Sequence, residues 1–136
     1  MTAHYLRALV DAHPSIREIW LFGSRANGRA RPESDWDYMV FSDDDRLLNC
    51  LHLDTQFDRP DIDLFIVAAP MVAMKPWAGE RQKMLRLDDE PGNLNWKVIS
   101  ATEVEYVETK GRGQPDLADI AVDIRQARAE LVYRRA

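Results

Sequence analysis

The apolar run Ile19-Trp20-Leu21-Phe22 stops at Gly23-Ser24, and twelve residues past that glycine two aspartates, Asp35 and Asp37, flank Trp36 at the head of a second apolar run. Short apolar runs bounded by turn residues are the pattern of buried strands. A Gly-Ser turn at the end of such a strand lets backbone N–H groups approach a phosphate at a helix N-terminus, which makes Gly23 and Ser24 a candidate phosphate cradle. Side chains two apart on a strand point the same way, so Asp35 and Asp37 are predicted to project from one face with Trp36 turned to the other. Neighbouring carboxylates repel unless a cation sits between them. Hard oxygen ligands of this kind suit Mg²⁺, which completes its shell with water and substrate phosphates.

A third acidic element follows in Asp61-Ile62-Asp63-Leu64-Phe65-Ile66-Val67, where Asp61 and Asp63 share one face of a predicted strand and Ile62, Leu64 and Ile66 the other. Paired beside the Asp35/Asp37 strand, it adds a carboxylate to the same edge. Asp63 lies between Ile62 and Leu64, whereas Asp61 follows Pro60 at the strand's mouth, where solvation alone accounts for it. Charged residues set among apolar runs need partners.

Together, Leu21-Phe22-Gly23-Ser24-Arg25-Ala26-Asn27-Gly28, Ser34-Asp35-Trp36-Asp37 and Ile62-Asp63-Leu64 resemble the minimal nucleotidyltransferases of the DNA polymerase β superfamily, over about residues 15–68. The resemblance implies an α/β (α+β) fold, a mixed β-sheet with helices packed mainly on one face. It implies transfer of a nucleoside monophosphate, AMP from ATP, from a nucleoside triphosphate to an acceptor hydroxyl. Asp35, Asp37 and Asp63 would be the catalytic and metal-binding residues for Mg²⁺, with Mn²⁺ able to replace it; Gly23 and Ser24 would hold the triphosphate, and Arg25 would contact the leaving phosphates. Asn27 stands where relatives often carry Arg, which weakens the case for a second cationic contact there. Small bacterial relatives are often antitoxins that adenylylate a tyrosine on a paired HEPN-domain ribonuclease, and a partner of that type is the acceptor the resemblance implies. Two other readings stay open: a small-molecule transferase of the aminoglycoside-modifying type, and a catalytically silent module that binds its partner by contact alone.

The net charge of −5 argues against a broad nucleic-acid-binding surface. Locally the charges separate: residues 31–63 carry ten acids against three arginines, while Gly23 to Arg31 holds Arg25, Arg29 and Arg31 without an acid. Arg29 and Arg31 read equally as phosphate-side cations and as solvating loop charges. At 136 residues the chain is read as a single domain, with no apolar stretch long enough for a membrane span and no signal-peptide pattern, so the expected compartment is the cytoplasm. The sequence does not fix an oligomeric state. Cys50, among leucines, reads as a buried inert thiol.

Along the rest of the chain, Tyr5, Leu6, Leu9 and Val10 predict a helix over Thr2–Ala12 that Pro14 ends, and a short helix is expected after the Gly-Ser turn. A second helix should run through Leu47, Leu48 and Leu51. Pro70 to Glu90 reads as a loop with one short helix, its methionines and Trp77 filling the core rather than lining an acceptor pocket, the other role open to them. Asn95–Ser100 and Thr102–Thr109 alternate as a β-hairpin, with Val104 and Tyr106 on one face. Asp116 is expected to cap a final helix whose stripe is Leu117, Ile120, Ala121, Ile124 and Leu131, so the family-variable end spans about residues 95–136. His4, His13 and His52 share no spacing that suggests a catalytic or metal role.

Overall fold

The computed structural model describes residues 2–68, 71–77, 84–88, 94–110 and 123–136. The helix α1 (Thr2–Ala12) buries Tyr5 and Leu9, four residues apart on one face, and ends ahead of Pro14. Strand β1 (Ile16–Phe22) pairs antiparallel with β2 (Trp36–Ser42). Helix α2 (Leu47–Leu53) and a single 3₁₀ turn at Thr55–Phe57 carry the chain over to β3 (Ile62–Ala68), which runs parallel to β2. The later strands are β4 (Val72–Met74), β5 (Met84–Arg86), β6 (Leu94–Val98), β7 (Glu103–Lys110) and β8 (Asp123–Arg134).

The eight strands among the described residues form one sheet in the order β5-β4-β3-β2-β1-β8-β7-β6, antiparallel at every pairing except β2–β3. Alternation sorts the side chains of the central strands into two cores. Ile19, Leu21, Tyr38, Val40, Ile62, Leu64 and Ile66 pack with Tyr5 and Leu9 of α1 and Leu47 and Leu51 of α2. Trp20, Phe22, Met39 and Phe65 point the other way and pack with Leu85, Leu94, Val104, Tyr106, Ala127 and Ala129. No described helix contributes to this second core. Instead the sheet curls over it until its ends meet: Trp96 N–H donates to Leu87 O at 3.0 Å, just beyond β5. Phe22 lies edge-on to Phe65, Trp96 and Tyr106 within that core.

Several sequence-based expectations need correction. The predicted final helix is, from Asp123 onward, the strand β8, paired on one side with β1 and on the other with β7; Asp116, Leu117, Ile120 and Ala121 lie outside the described residues. Ala127 and Ala129 are buried while Gln126, Arg128 and Glu130 are exposed, an alternation of period two that helix-favouring alanines disguise in the sequence. Small side chains there leave room for the large aromatics of the same core. Within Pro70–Glu90 the described residues form β4 and β5 rather than a helix, and Met71 and Met84 are exposed rather than core filling. Trp77 packs against the helical-side core and donates from Nε1 to Leu51 O. The segment after β1 is a run of turns, not a helix: Ala26 N–H donates to Gly23 O, and Asn27 and Arg29 N–H donate to Ser24 O. Cys50 is exposed, because Leu47 and Leu51 define the buried face of α2 and position 50 falls off it.

Candidate active site

The acids gather at one end of the curled sheet. Phe22 at the end of β1 is the register partner of Asp37 near the start of β2, and Asp37 is the register partner of Asp63 near the start of β3. The three strand ends therefore present Gly23, Asp37 and Asp63 in a row, at about 4.8 Å per strand. Alternation turns Asp37 and Asp63 to the side of Met39 and Phe65, away from the helices. Asp35 precedes β2 and is exposed, yet it joins the others around one cavity of about 300 Å³. Its walls include Gly23, Ser24, Asp35, Asp37, Asp63 and Lys75, together with Phe65, Leu85, Leu94 and Glu108. Asp61 does not line it; its carboxylate pairs with Arg59 at 3.4 Å and is half-exposed.

Gly23 is required in two ways. Its φ of 77° lies in the left-handed region, and a β-carbon there would collide with Asp37 Oδ2. The turn is then held from the far half of the chain. Gly23 N–H donates to the Tyr106 hydroxyl at 2.8 Å, and Asn27 Nδ2 donates to Gly23 O at 2.8 Å and to Arg128 O at 3.0 Å. Arg128 N–H donates in return to Asn27 Oδ1 at 2.8 Å. Burial raises the Tyr106 phenol above the ordinary tyrosine value, and the hydrogen bond from Gly23 offsets part of that rise. Sequence reading placed Tyr106 and Asn27 on the map without roles. Their function as a clamp depends on β7 and β8 lying beside the turn, which no local pattern announces.

Arg25 is not brought to this cavity. Its Nε and Nη2 donate to Ser34 O at 3.1 and 2.8 Å, and its guanidinium stacks on Trp36 at 4.2 Å from the ring centre. It thereby shapes the loop that delivers Asp35, and lines a larger cavity of about 800 Å³ on the helical side, between α1 and β8. Arg29 and Arg31 are exposed and line neither cavity. The cation that does line the acidic cavity is Lys75, just past β4, with Nζ 2.9 Å from Asp63 Oδ1 and above the Phe65 ring. The histidines sit elsewhere: His13 pairs with Asp54 at 3.0 Å and His52 meets Pro76 O at 2.7 Å.

These contacts bear on whether a divalent cation fits. Asp35, Asp37 and Asp63 offer carboxylates, the chemistry Mg²⁺ takes, and all three face one cavity with Glu108 as a fourth. Among the described residues no group of three or more His, Cys, Asp or Glu is drawn tightly enough to form a ready cage. Asp35 stands outside the strand and Asp63 is turned onto Lys75.

Residues 5–64 match the family model Polymerase beta, Nucleotidyltransferase. The match supports placement in the DNA polymerase β superfamily and a nucleotidyltransferase activity. Its span takes in α1 from Tyr5, all of β1 and β2 and the first three residues of β3, and with them Gly23, Ser24, Asp35, Asp37 and Asp63. The clamp residues Tyr106 and Arg128, and Lys75, lie outside the polymerase β match. No curated protein and no solved structure matches the chain. No helix among the described residues is long and apolar enough to cross a membrane.

Proposed function

We propose that the chain transfers AMP from ATP to the side-chain hydroxyl of a protein partner, a tyrosine on a HEPN-type protein, in a Mg²⁺-dependent reaction. The observation that carries the reading is the row of Gly23, Asp37 and Asp63 on three adjacent strand ends around one cavity, within a segment that matches the polymerase β nucleotidyltransferase model.

Asp35, Asp37 and Asp63 would hold the divalent cation, which supplies neutralisation of phosphate charge and polarisation of the attacked phosphorus. The turn at Gly23 and Ser24 receives the leaving phosphates: Gly23 N–H is committed to the Tyr106 hydroxyl, so Ser24 supplies the donors, and Tyr106 and Asn27 fix the turn in advance so that little ordering remains on binding. The acceptor oxygen attacks the α-phosphorus, the bond from that phosphorus to the oxygen bridging toward the β-phosphate breaks, and pyrophosphate departs. Asp63 takes the hydroxyl proton. Such transfers rest on positioning and electrostatics and need no covalent enzyme intermediate.

Size supports an acceptor that arrives from outside. A cavity of about 300 Å³ is at the small end of ligand sites, enough for the phosphate end of a nucleotide and little more. The C-terminal strands wall the carboxylate edge through Leu94 and Glu108, and the larger cavity, of about 800 Å³, lies away from it on the helical side. Co-expression with the product of the neighbouring gene, followed by intact-mass measurement, tests the reading. AMP-sized additions on the partner that vanish in Asp37→Asn are expected. A partner bound but unmodified favours the silent binding module, and efficient adenylylation of small compounds without any protein favours the aminoglycoside-type reading.

A further inference from the structure

We propose that Lys75 is the cation that receives the transferred phosphate group, pairing with Asp63 before nucleotide binds and with the α-phosphate oxygens afterwards. The inference rests on the reading above, in which Gly23 and Ser24 take the leaving phosphates.

Asp35, Asp37, Asp63 and Glu108 all line the cavity, and Lys75 is the one cation among its described lining residues. A nucleotide phosphate entering there meets carboxylates on several sides, so an ammonium within the walls matters more than one on the surface. Arg25, the cation the sequence favours for the phosphates, is committed to Ser34 O and Trp36.

Position along the row then assigns the end of the substrate. Gly23 closes β1, Asp37 opens β2, Asp63 opens β3, and Lys75 follows β4 on the far side of Asp63. Gly23 and Lys75 are thus opposite ends with the acids between them. A triphosphate whose leaving end lies at Gly23–Ser24 turns its α-phosphate toward Asp63 and Lys75. The Lys75 side chain is 30% exposed and its ammonium lies over the Phe65 ring, so it can pivot from the Asp63 oxygen to a neighbouring phosphate oxygen without leaving the wall.

The test compares two probes that share the leaving end and differ at the other: α,β-methylene-ATP and pyrophosphate, each titrated with excess Mg²⁺ by calorimetry. Their magnesium complexes carry nearly the same net charge, so a general loss of positive potential moves both alike. Lys75→Met should weaken the ATP analogue by roughly ten- to a hundredfold, the scale of one charge-assisted contact, with pyrophosphate changed less than about threefold. Lys75→Arg, which keeps the charge, should remain within about tenfold of the parent for the analogue and serves if Lys75→Met fails to fold. Equal losses for both probes, no loss for either, or an Arg variant as weak as a charge-free one would overturn the assignment. A parent protein that binds neither probe would instead refute the nucleotide site itself.

Discussion

A β-carbon on residue 23 would occupy the space of Asp37 Oδ2, so the candidate metal-binding carboxylate holds its present position beside the candidate cradle because position 23 is glycine. Gly28, in the same turn, also has a positive φ, 69°, yet nothing lies within 4 Å of its would-be β-carbon. Gly28→Ala should therefore show the backbone penalty alone, about 1–2 kcal/mol in urea unfolding. Gly23→Ala should cost more and should displace Asp37, abolishing Mg²⁺-dependent nucleotide binding that Gly28→Ala retains. Equal behaviour of the two variants would contradict the packing of Asp37 against Gly23.

The Asn27 clamp spans the motif turn and β8, so its loss should be felt as both stability and geometry. Asn27→Ala removes the bonds to Gly23 O and Arg128 O and leaves Arg128 N–H without its acceptor. A destabilisation of about 1–3 kcal/mol is expected, with weaker nucleotide binding. Tyr106→Phe keeps the ring packed on Trp96 and Phe22 but deprives Gly23 N–H of its partner, so it should cost about 1–2 kcal/mol. Urea midpoints and nucleotide titration check both; an Asn27→Ala protein as stable as the parent would show that the clamp is incidental.

The same clamp marks the limit of what the sequence discloses. The β1–β2–β3 unit was legible because its strands are short apolar runs with alternating partners and its acids fall at run ends. That pattern allows the Asp63 strand to lie beside the Asp37 strand, and the structure adds the parallel register that pairs the two acids. From Asp123 onward the opposite holds: alanine, arginine and glutamate favour a helix locally, and only pairing with β1 and β7 makes them a strand. Lys75 follows a three-residue strand with little pattern of its own, and its approach to Asp63 depends on the pairing of that strand with β3. Arg25 shows the converse failure, since a residue at a motif position is held by a loop carbonyl and a tryptophan face that the motif does not encode.

Three buried tyrosines predict the alkaline behaviour. Burial raises the phenols of Tyr5, Tyr38 and Tyr106 above their ordinary value, and Tyr5 also donates to Phe57 O at 2.6 Å. A phenol with a raised native pKa keeps its proton in the folded state after the unfolded chain has lost it. Stability is therefore full below about pH 10 and falls as pH rises beyond it, by at most about 1.4 kcal/mol per pH unit for each phenol. Urea midpoints followed upward from about pH 8 should drop above about pH 10, and Tyr38→Phe should flatten part of that drop. An unchanged alkaline slope in Tyr38→Phe would remove Tyr38 from the account.

In the proposed reaction Asp37 and its neighbours bind a divalent cation together with a nucleoside triphosphate. Calorimetric titration of Mn²⁺ in the presence and absence of ATP tests it most directly, on the parent, Asp37→Asn and Asp61→Asn. The parent and Asp61→Asn should bind the cation and nucleotide together, since Asp61 faces Arg59 outside the cavity, and Asp37→Asn should lose that coupled binding. Coupled binding that persists undiminished in Asp37→Asn, or that is absent from the parent, would contradict the site.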